Sequence, residues 1–475
     1  MTSQNPQIKL IKDRVRDSLR MYNTLTKAID PIRPHDNRLD MFVCGPTVYD
    51  FSHVGHGRSY TFYDTFVKFL RALGISVFYL QNITDIDDKI INRAREMGIS
   101  WKELSITYEQ YYKEDMAKMH VNSVNLYARA TEHIPEIIWQ VKTLMEKGYA
   151  YEISDGIYFD VSKFPEYGKL SGQELKDLKP GARLELKDEK RTPYDFVLWK
   201  FRKPNEPFWD SEIGQGRPGW HIEDTAIAQR YHGFQYDIHG GGIDLIFPHH
   251  ESEIAQMEAI SGIKPFVKHW IHNGFLTINN EKMSKSLGNF FTLRDVFKKY
   301  DPLVVRYFYL QTHYRAPLEF SFDLLDSAKN RLEDLQRSAK LLLNAVEKKK
   351  DPDLEKQLLQ VYEDFLMGLA DDFNISKSNS AISRFFSIVN SKVIPEEIEV
   401  NLSKEILLEI NSILDIFDFS QKTDFIFKLI DDIVQIRNEI RKEKQYRYSD
   451  MIRDCLKNYG IEILDNKDES KWVLK

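Results

Sequence analysis

Apolar positions along the first eighty residues change their spacing twice. Leu39–Cys44 is a short run rich in strand formers, ended by Gly45 and Pro46, and it predicts a strand. After His53 the apolar residues Phe62, Phe66, Phe69, Leu70 and Leu73 recur at helical spacing until Gly74 stops the pattern. Val77–Leu80 then predicts a second strand. Strand, glycine-rich turn, helix and strand make a βαβ unit, which places its two strands side by side and parallel. The first domain is therefore expected to be α/β.

From about Val121 to Trp209 the pattern is mixed and mostly irregular, and Pro180, Pro193, Pro204 and Pro207 crowd its end. It is expected to be an insertion between two halves of one sheet domain. Strand signals return at Tyr236–His239, and helical patterning begins at His249, after Pro248. Beyond Phe322 the character changes. Leu325, Ala328, Leu332, Leu335, Ala339, Leu342 and Val346 form one stripe on a long helix with no proline inside it. Helix-period sequence continues to about Ile440, which predicts a helical bundle. A helix and a strand-like piece follow Ser449.

At 475 residues the chain has room for several domains. Its 42% hydrophobic and 29% charged residues are an ordinary soluble composition. No apolar run approaches the roughly 20 residues needed to span a bilayer. The first residues are polar, and no signal peptide is expected. Two cysteines, Cys44 and Cys455, exclude a disulfide framework and fit a reducing cytoplasm. The net charge of −6 excludes only a wholly basic nucleic-acid binder.

Two strings carry chemistry. His53-Val54-Gly55-His56 sits where a strand hands over to a helix, so free N–H groups and the helix dipole attract anions there. Alone, it is as well explained by a turn glycine and surface histidines. Lys282-Met283-Ser284-Lys285-Ser286 offers two ammonium groups on a loop, suited to charge building on a phosphate. Alone, it is a solvated basic turn. Together, in an α/β frame, the pair resembles the class I aminoacyl-tRNA synthetases. Longer strings narrow the resemblance: Met41–Asp50, Asn82–Lys89, Gly219–Glu223, His239–Asp244 and Phe247–Glu251 are similar to those of the cysteinyl-tRNA synthetases. The likeness runs from Asn23-Thr24-Leu25-Thr26 to the C-terminal tryptophan.

The resemblance implies a Rossmann-like parallel-sheet catalytic domain in two halves, 1–120 and 216–320, separated by a connective insertion at 121–215. A helical bundle at 321–400 and a stretch at 401–475, holding the rest of the bundle and a small anticodon-binding end domain, would follow. It implies a cytoplasmic monomer that takes L-cysteine, ATP with Mg2+, and cysteine tRNA. His53 and His56 would stabilise the ATP phosphates, with Gly55 and Gly57 at the nucleotide. Lys282 and Lys285 would stabilise the departing pyrophosphate, and Asp244 would accept the ribose hydroxyls. Thr84, Trp220 and His239 would frame the amino acid. Rival readings are a tRNA-independent cysteine ligase, which would lack the end domain, and a non-catalytic tRNA-binding paralogue.

In that family a zinc ion binds the substrate thiolate and so tells cysteine from serine. Cys44, His249 and Glu253 match three of its ligands, and Asp224 stands where the family has a cysteine. Aspartate is an allowed zinc ligand. The expected site is therefore Cys44, Asp224, His249 and Glu253, weaker than one with two thiolates. Asp85, Asp87 and Asp88 imitate a metal cluster in spacing, but an acidic first turn of a helix is the expectation. Arg437, Arg441, Lys442, Lys444 and Arg447, interleaved with Tyr446 and Tyr448, could hold RNA. Trp472 falls where the family stacks a tryptophan on an anticodon base, although Glu469-Ser470-Lys471 before it carries no glycine.

Overall fold

The structure is a computed structural model that describes residues 5–173, 189–278, 281–282, 290–419, 421–458, 461–465 and 470–474. The chain forms two compact units, Met1–Ile416 and Phe417–Lys475.

The first unit is built on a five-stranded sheet. Its strands are β1 (Arg38–Val43), β2 (Ser76–Ile83), β3 (Leu126–Arg129), β4 (Tyr236–Gly242) and β5 (Val267–Asn273), in the order β5-β4-β1-β2-β3. Every neighbouring pair is parallel. Met41, Phe42 and Val43 are all buried, as a central parallel strand covered on both faces requires. The βαβ unit expected from the apolar spacing is present. Its helix, α1 (Val54–Ala72), sinks Tyr63, Phe66, Phe69 and Leu70 into the core. Gly74 follows with φ of 80°, and the Ile75 amide closes back onto the Leu70 carbonyl at 3.0 Å. Strand order reverses between β1 and β4. In open α/β sheets the crevice beyond the strand ends at such a point is where ligands bind.

The stretch 121–215 is more regular than its prolines suggest. Leu126–Arg129 is the edge strand β3 of the main sheet. Ala150–Ile153, Gly156–Phe159, Phe196–Phe201 and Gly216–Pro218 make a separate four-stranded antiparallel sheet. Pro193, Pro204 and Pro207 lie in its connections, and Pro180 lies outside the described residues. Strands of three to six residues are too short to imprint a period, so the sequence reads as irregular.

The helices Phe322–Asn344, Pro352–Ala370, Ile375–Ile388 and Val400–Leu414 form the expected bundle. The stripe from Leu325 to Leu342 is buried, but Val346 is 66% exposed, against its expected place in that stripe. The helix stops at Asn344, Ala345 is extended, and the Lys348 amide bonds the Glu397 carbonyl at 2.8 Å. The second unit packs Gln421–Lys442, Tyr446–Asn458 and a hairpin of Ile461–Asp465 with Ser470–Leu474 around Ile430, Val434, Leu456, Ile461 and Ile463.

Candidate active site

A cavity of about 450 Å³ opens beyond the ends of β1 and β4, lined among others by Cys44, His53, Gly55, His56, Trp220 and Asp244. His53 caps α1, and its Nδ1 accepts from the His56 amide at 3.2 Å. The two imidazoles stack at 3.7 Å. Burial first, and then the neighbouring His53, pulls the His56 imidazole well below its ordinary range. His56 therefore faces the cavity as a neutral ring, and its buried Nδ1 has no protein partner. Gly55 lines the cavity, whereas Gly57 faces away from it. A Cβ at Gly57 would meet Leu293 at 2.8 Å and the Tyr309 hydroxyl at 2.9 Å, so Gly57 serves helix packing.

The lysine string lies mostly outside the described residues, Lys285 among them. Lys282 ends the short strand Glu281–Lys282. Both flanks of the string are anchored to the first turns of α1. After it, the Val54 amide donates to the Phe291 carbonyl at 3.1 Å and the Leu293 amide to the Ser52 carbonyl at 2.8 Å. Before it, the buried Arg58 guanidinium bonds the carbonyl of Phe275, and it also holds those of Tyr314 and Ala316 farther along the chain.

Deeper in the crevice lies a buried cluster. Cys44 Sγ is 3.0 Å from His250 Nε2 and 3.3 Å from His239 Nε2. His249 Nε2 is 3.0 Å from both Asp224 Oδ2 and Glu253 Oε1. Despite that proximity both Glu253 oxygens lack a hydrogen-bond partner, while His249 Nε2 bonds Asp224 Oδ2. Burial, then Asp224, holds the Glu253 carboxyl far above its usual range. Burial, then Asp224 and Glu253, does the same to the Cys44 thiol. Burial holds His221, His239, His250 and His272 low, His272 at about 3. Trp220 is no core aromatic: it is 37% exposed and stacks on His249 at 4.3 Å.

Among the described residues, Cys44, His249, His250 and Glu253 hold their ligand atoms within 4.8 Å of one another. Three are sequence-expected ligands, and His250 was missed. The expected fourth ligand, Asp224, reaches His249 but is not of that group. A signal for His250 existed: it precedes Glu253 by three residues, and i,i+3 pairs share a helix face as i,i+4 pairs do. A buried carboxylate without donors, a thiol and two imidazoles form a donor set that fits zinc.

The comparisons with known proteins agree on one family. Residues 31–330 match the family model described as tRNA synthetases class I (C) catalytic domain. A cysteine–tRNA ligase of Thermoplasma acidophilum is 47% identical over 457 residues, covering 96% of this chain and 100% of that protein. The chain belongs to the cysteine–tRNA ligase family. A cysteine–tRNA ligase of Carboxydothermus hydrogenoformans is 42% identical over 463 residues, covering 96% of this chain and 99% of its own. The fold also resembles methionyl-tRNA synthetase of Mycobacterium tuberculosis with methionyl-adenylate. That TM-score is 0.58 at 14% identity, with 79% of this chain and 89% of that one covered. A leucyl enzyme of Agrobacterium radiobacter in a ternary complex gives 0.57 at 13%, covering 86% of each chain.

Other residues of this cysteine–tRNA ligase chain settle into structural roles. Asp87 caps the helix Asp88–Met97, Asp85 binds the Thr131 amide at 3.0 Å, and Asp88 pairs with Lys200 and Arg217. Asp87 and Asp88 thus make the expected helix start, whereas Asp85 lies ahead of it and holds Thr131. Thr84 is buried and accepts from Asn82 at 3.3 Å. Arg437 is buried and bonds the Ser449 carbonyl at 3.1 Å, while Arg441 and Arg447 are exposed. Trp472 packs on the small core of the second unit and donates to Asp431 at 2.7 Å. Among the described residues no helix is long and apolar enough to cross a membrane.

Proposed function

We propose that this chain activates L-cysteine with ATP to cysteinyl-adenylate and transfers the cysteinyl group to the 3′ end of cysteine tRNA. One observation carries the reading: Cys44 lines the cavity bordered by His53 and His56 and also belongs to the buried Cys44, His249, His250 and Glu253 group. The phosphate end and the sulphur-selecting end are thereby joined in one site.

In this reading His53 and His56 bind the ATP phosphates, Gly55 lies under the adenine end, and Asp244 accepts the ribose hydroxyls. ATP enters with Mg2+. Lys282 and Lys285 stabilise charge as pyrophosphate leaves, an interaction strongest in the transition state. Thr84, Trp220 and His239 frame the amino acid. Cys44, His249 and Glu253, with one further donor, would hold a zinc ion. Zinc supplies a soft Lewis acid that binds a thiol in preference to a hydroxyl. Shape alone separates such near-isosteres by only about 100-fold. Residues 1–120 and 216–320 form the catalytic half, 121–215 the insertion, 321–400 the bundle, and 401–475 its remainder with the anticodon-reading end. There Arg441, Arg447 and Trp472 contact tRNA.

We propose a monomer acting in the cytoplasm, in line with only two cysteines. Light scattering near 56.0 kDa supports the monomer, and twice that mass contradicts it. The activity is tested by charging: labelled cysteine should become acid-precipitable on cysteine tRNA and on no other tRNA. Activation without charging supports the tRNA-independent rival instead.

A further inference from the structure

The metal reading leaves the fourth ligand open, because the residue in the place of the second cysteine is Asp224. We propose that His250 supplies that ligand, and that His272 and Thr24 are positioning residues that aim it. The inference rests on the zinc reading above.

Distances favour His250. Ligands of a tetrahedral zinc at about 2.0–2.3 Å stand roughly 3.3–3.7 Å from one another. The ligand atoms of Cys44, His249, His250 and Glu253 already lie within 4.8 Å, all buried, so modest side-chain rotation closes them on one point. Asp224 borders this group without belonging to it. Its Oδ1 accepts from Asn82 at 2.6 Å, and its Oδ2 lies 3.0 Å from His249. Zinc at a site already holding one carboxylate gains more from a borderline nitrogen than from a second hard oxygen.

The ring of His250 is also aimed from behind. His250 Nδ1 is 2.7 Å from His272 Nε2, and His272 Nδ1 is 2.8 Å from Thr24 Oγ1. If each ring carries its proton on Nδ1, His250 donates to His272 and His272 donates to Thr24. That direction leaves His250 Nε2 bare toward Cys44, as a metal ligand requires, and fixes the tautomer from outside. Glycine at 241 makes room: a Cβ there would stand 2.8 Å from His250 Cε1. Adjacent residues of an α-helix point about 100° apart, so His249 and His250 would ordinarily diverge. Here the chain kinks at the extended Phe247 just before the two histidines, and both rings reach the same group.

X-ray absorption of the zinc-loaded wild-type chain is the test that needs no variant. Two imidazoles and one sulphur around the metal support the assignment, and a single imidazole overturns it. Chelator competition ranks the residues independently. His250→Gln should lower zinc affinity by about 100-fold or more, and His272→Phe or Thr24→Val by about 10-fold or more. Asp224→Asn should stay within about 10-fold. If Asp224→Asn instead loses the metal and His250→Gln keeps it, the assignment fails. Zinc bound through one imidazole sinks this assignment alone, whereas a wild-type chain that takes no zinc sinks the metal reading with it.

Discussion

The Val54 amide donates to the Phe291 carbonyl at 3.1 Å, joining residues more than two hundred positions apart. Val54 belongs to the histidine string, and Phe291 follows the lysine string. Arg58, in the next turn of α1, grips the carbonyl of Phe275 on the other flank together with those of Tyr314 and Ala316. The two flanks of the lysine string are therefore tied to the helix that the histidine string opens.

In the proposed mechanism Lys285 acts most strongly as pyrophosphate departs, and Lys285→Ala removes that cation. Cysteine-dependent exchange of pyrophosphate into ATP should fall about 100-fold or more, with KM for cysteine changed much less. Unchanged exchange in a folded Lys285→Ala protein would remove the loop from the chemistry.

Arg58→Met should weaken both stability and rate. Burial pulls the guanidinium down to about 10, so it is still charged at neutral pH, and three carbonyls lose their donor in the variant. Such a loss costs on the order of 3 kcal/mol. Thermal unfolding should show the drop, and kcat should fall further than the affinity for cysteine. A variant with normal kcat would mean that the flanks do not set the position of the loop.

His232 gives the fold an acid sensitivity of its own. Its side chain is fully buried, both ring nitrogens lack hydrogen bonds, and Phe78 and Tyr236 flank the ring. Burial outweighs the opposing pull of Asp40 and brings the imidazole down to about 4. The unfolded chain binds a proton near pH 6.5 that the folded chain refuses until about 4. Stability is therefore full above about 6.5 and declines as pH falls toward 4. His232→Phe should recover on the order of 1–2 kcal/mol of the loss between pH 7.5 and pH 5. Equal pH dependence in wild type and variant would contradict this.

A chain ending at Ile416 should keep cysteine activation and lose tRNA charging, since that bond closes the first compact unit. Equal loss of both activities in a folded truncation would contradict the division of labour.

Much of this was legible in the sequence for identifiable physical reasons. The βαβ unit showed because α1 and its two strands are long enough to carry a period, and the bundle stripe from Leu325 to Leu342 showed for the same reason. The small antiparallel sheet around Gly156–Phe159 was hidden because its strands are shorter than any period. His249 and Glu253 came from the family resemblance, and their i,i+4 spacing agrees with a common helix face. His250 escaped although its i,i+3 spacing to Glu253 was readable, because neighbours on an ordinary helix do not share a face and the kink at Phe247 beside them leaves no mark in composition. Arg437 looked like part of an RNA-binding run, yet its chain neighbours could not reveal that it is buried against Ser449.

The central claim is that this site selects and activates cysteine, and pyrophosphate exchange with cysteine and serine in parallel tests it most directly. With purified full-length protein, ATP and Mg2+, cysteine should support exchange at least about 10,000-fold better than serine in kcat/KM. Exchange that serine supports as well as cysteine, or that cysteine does not support at all, would contradict the account.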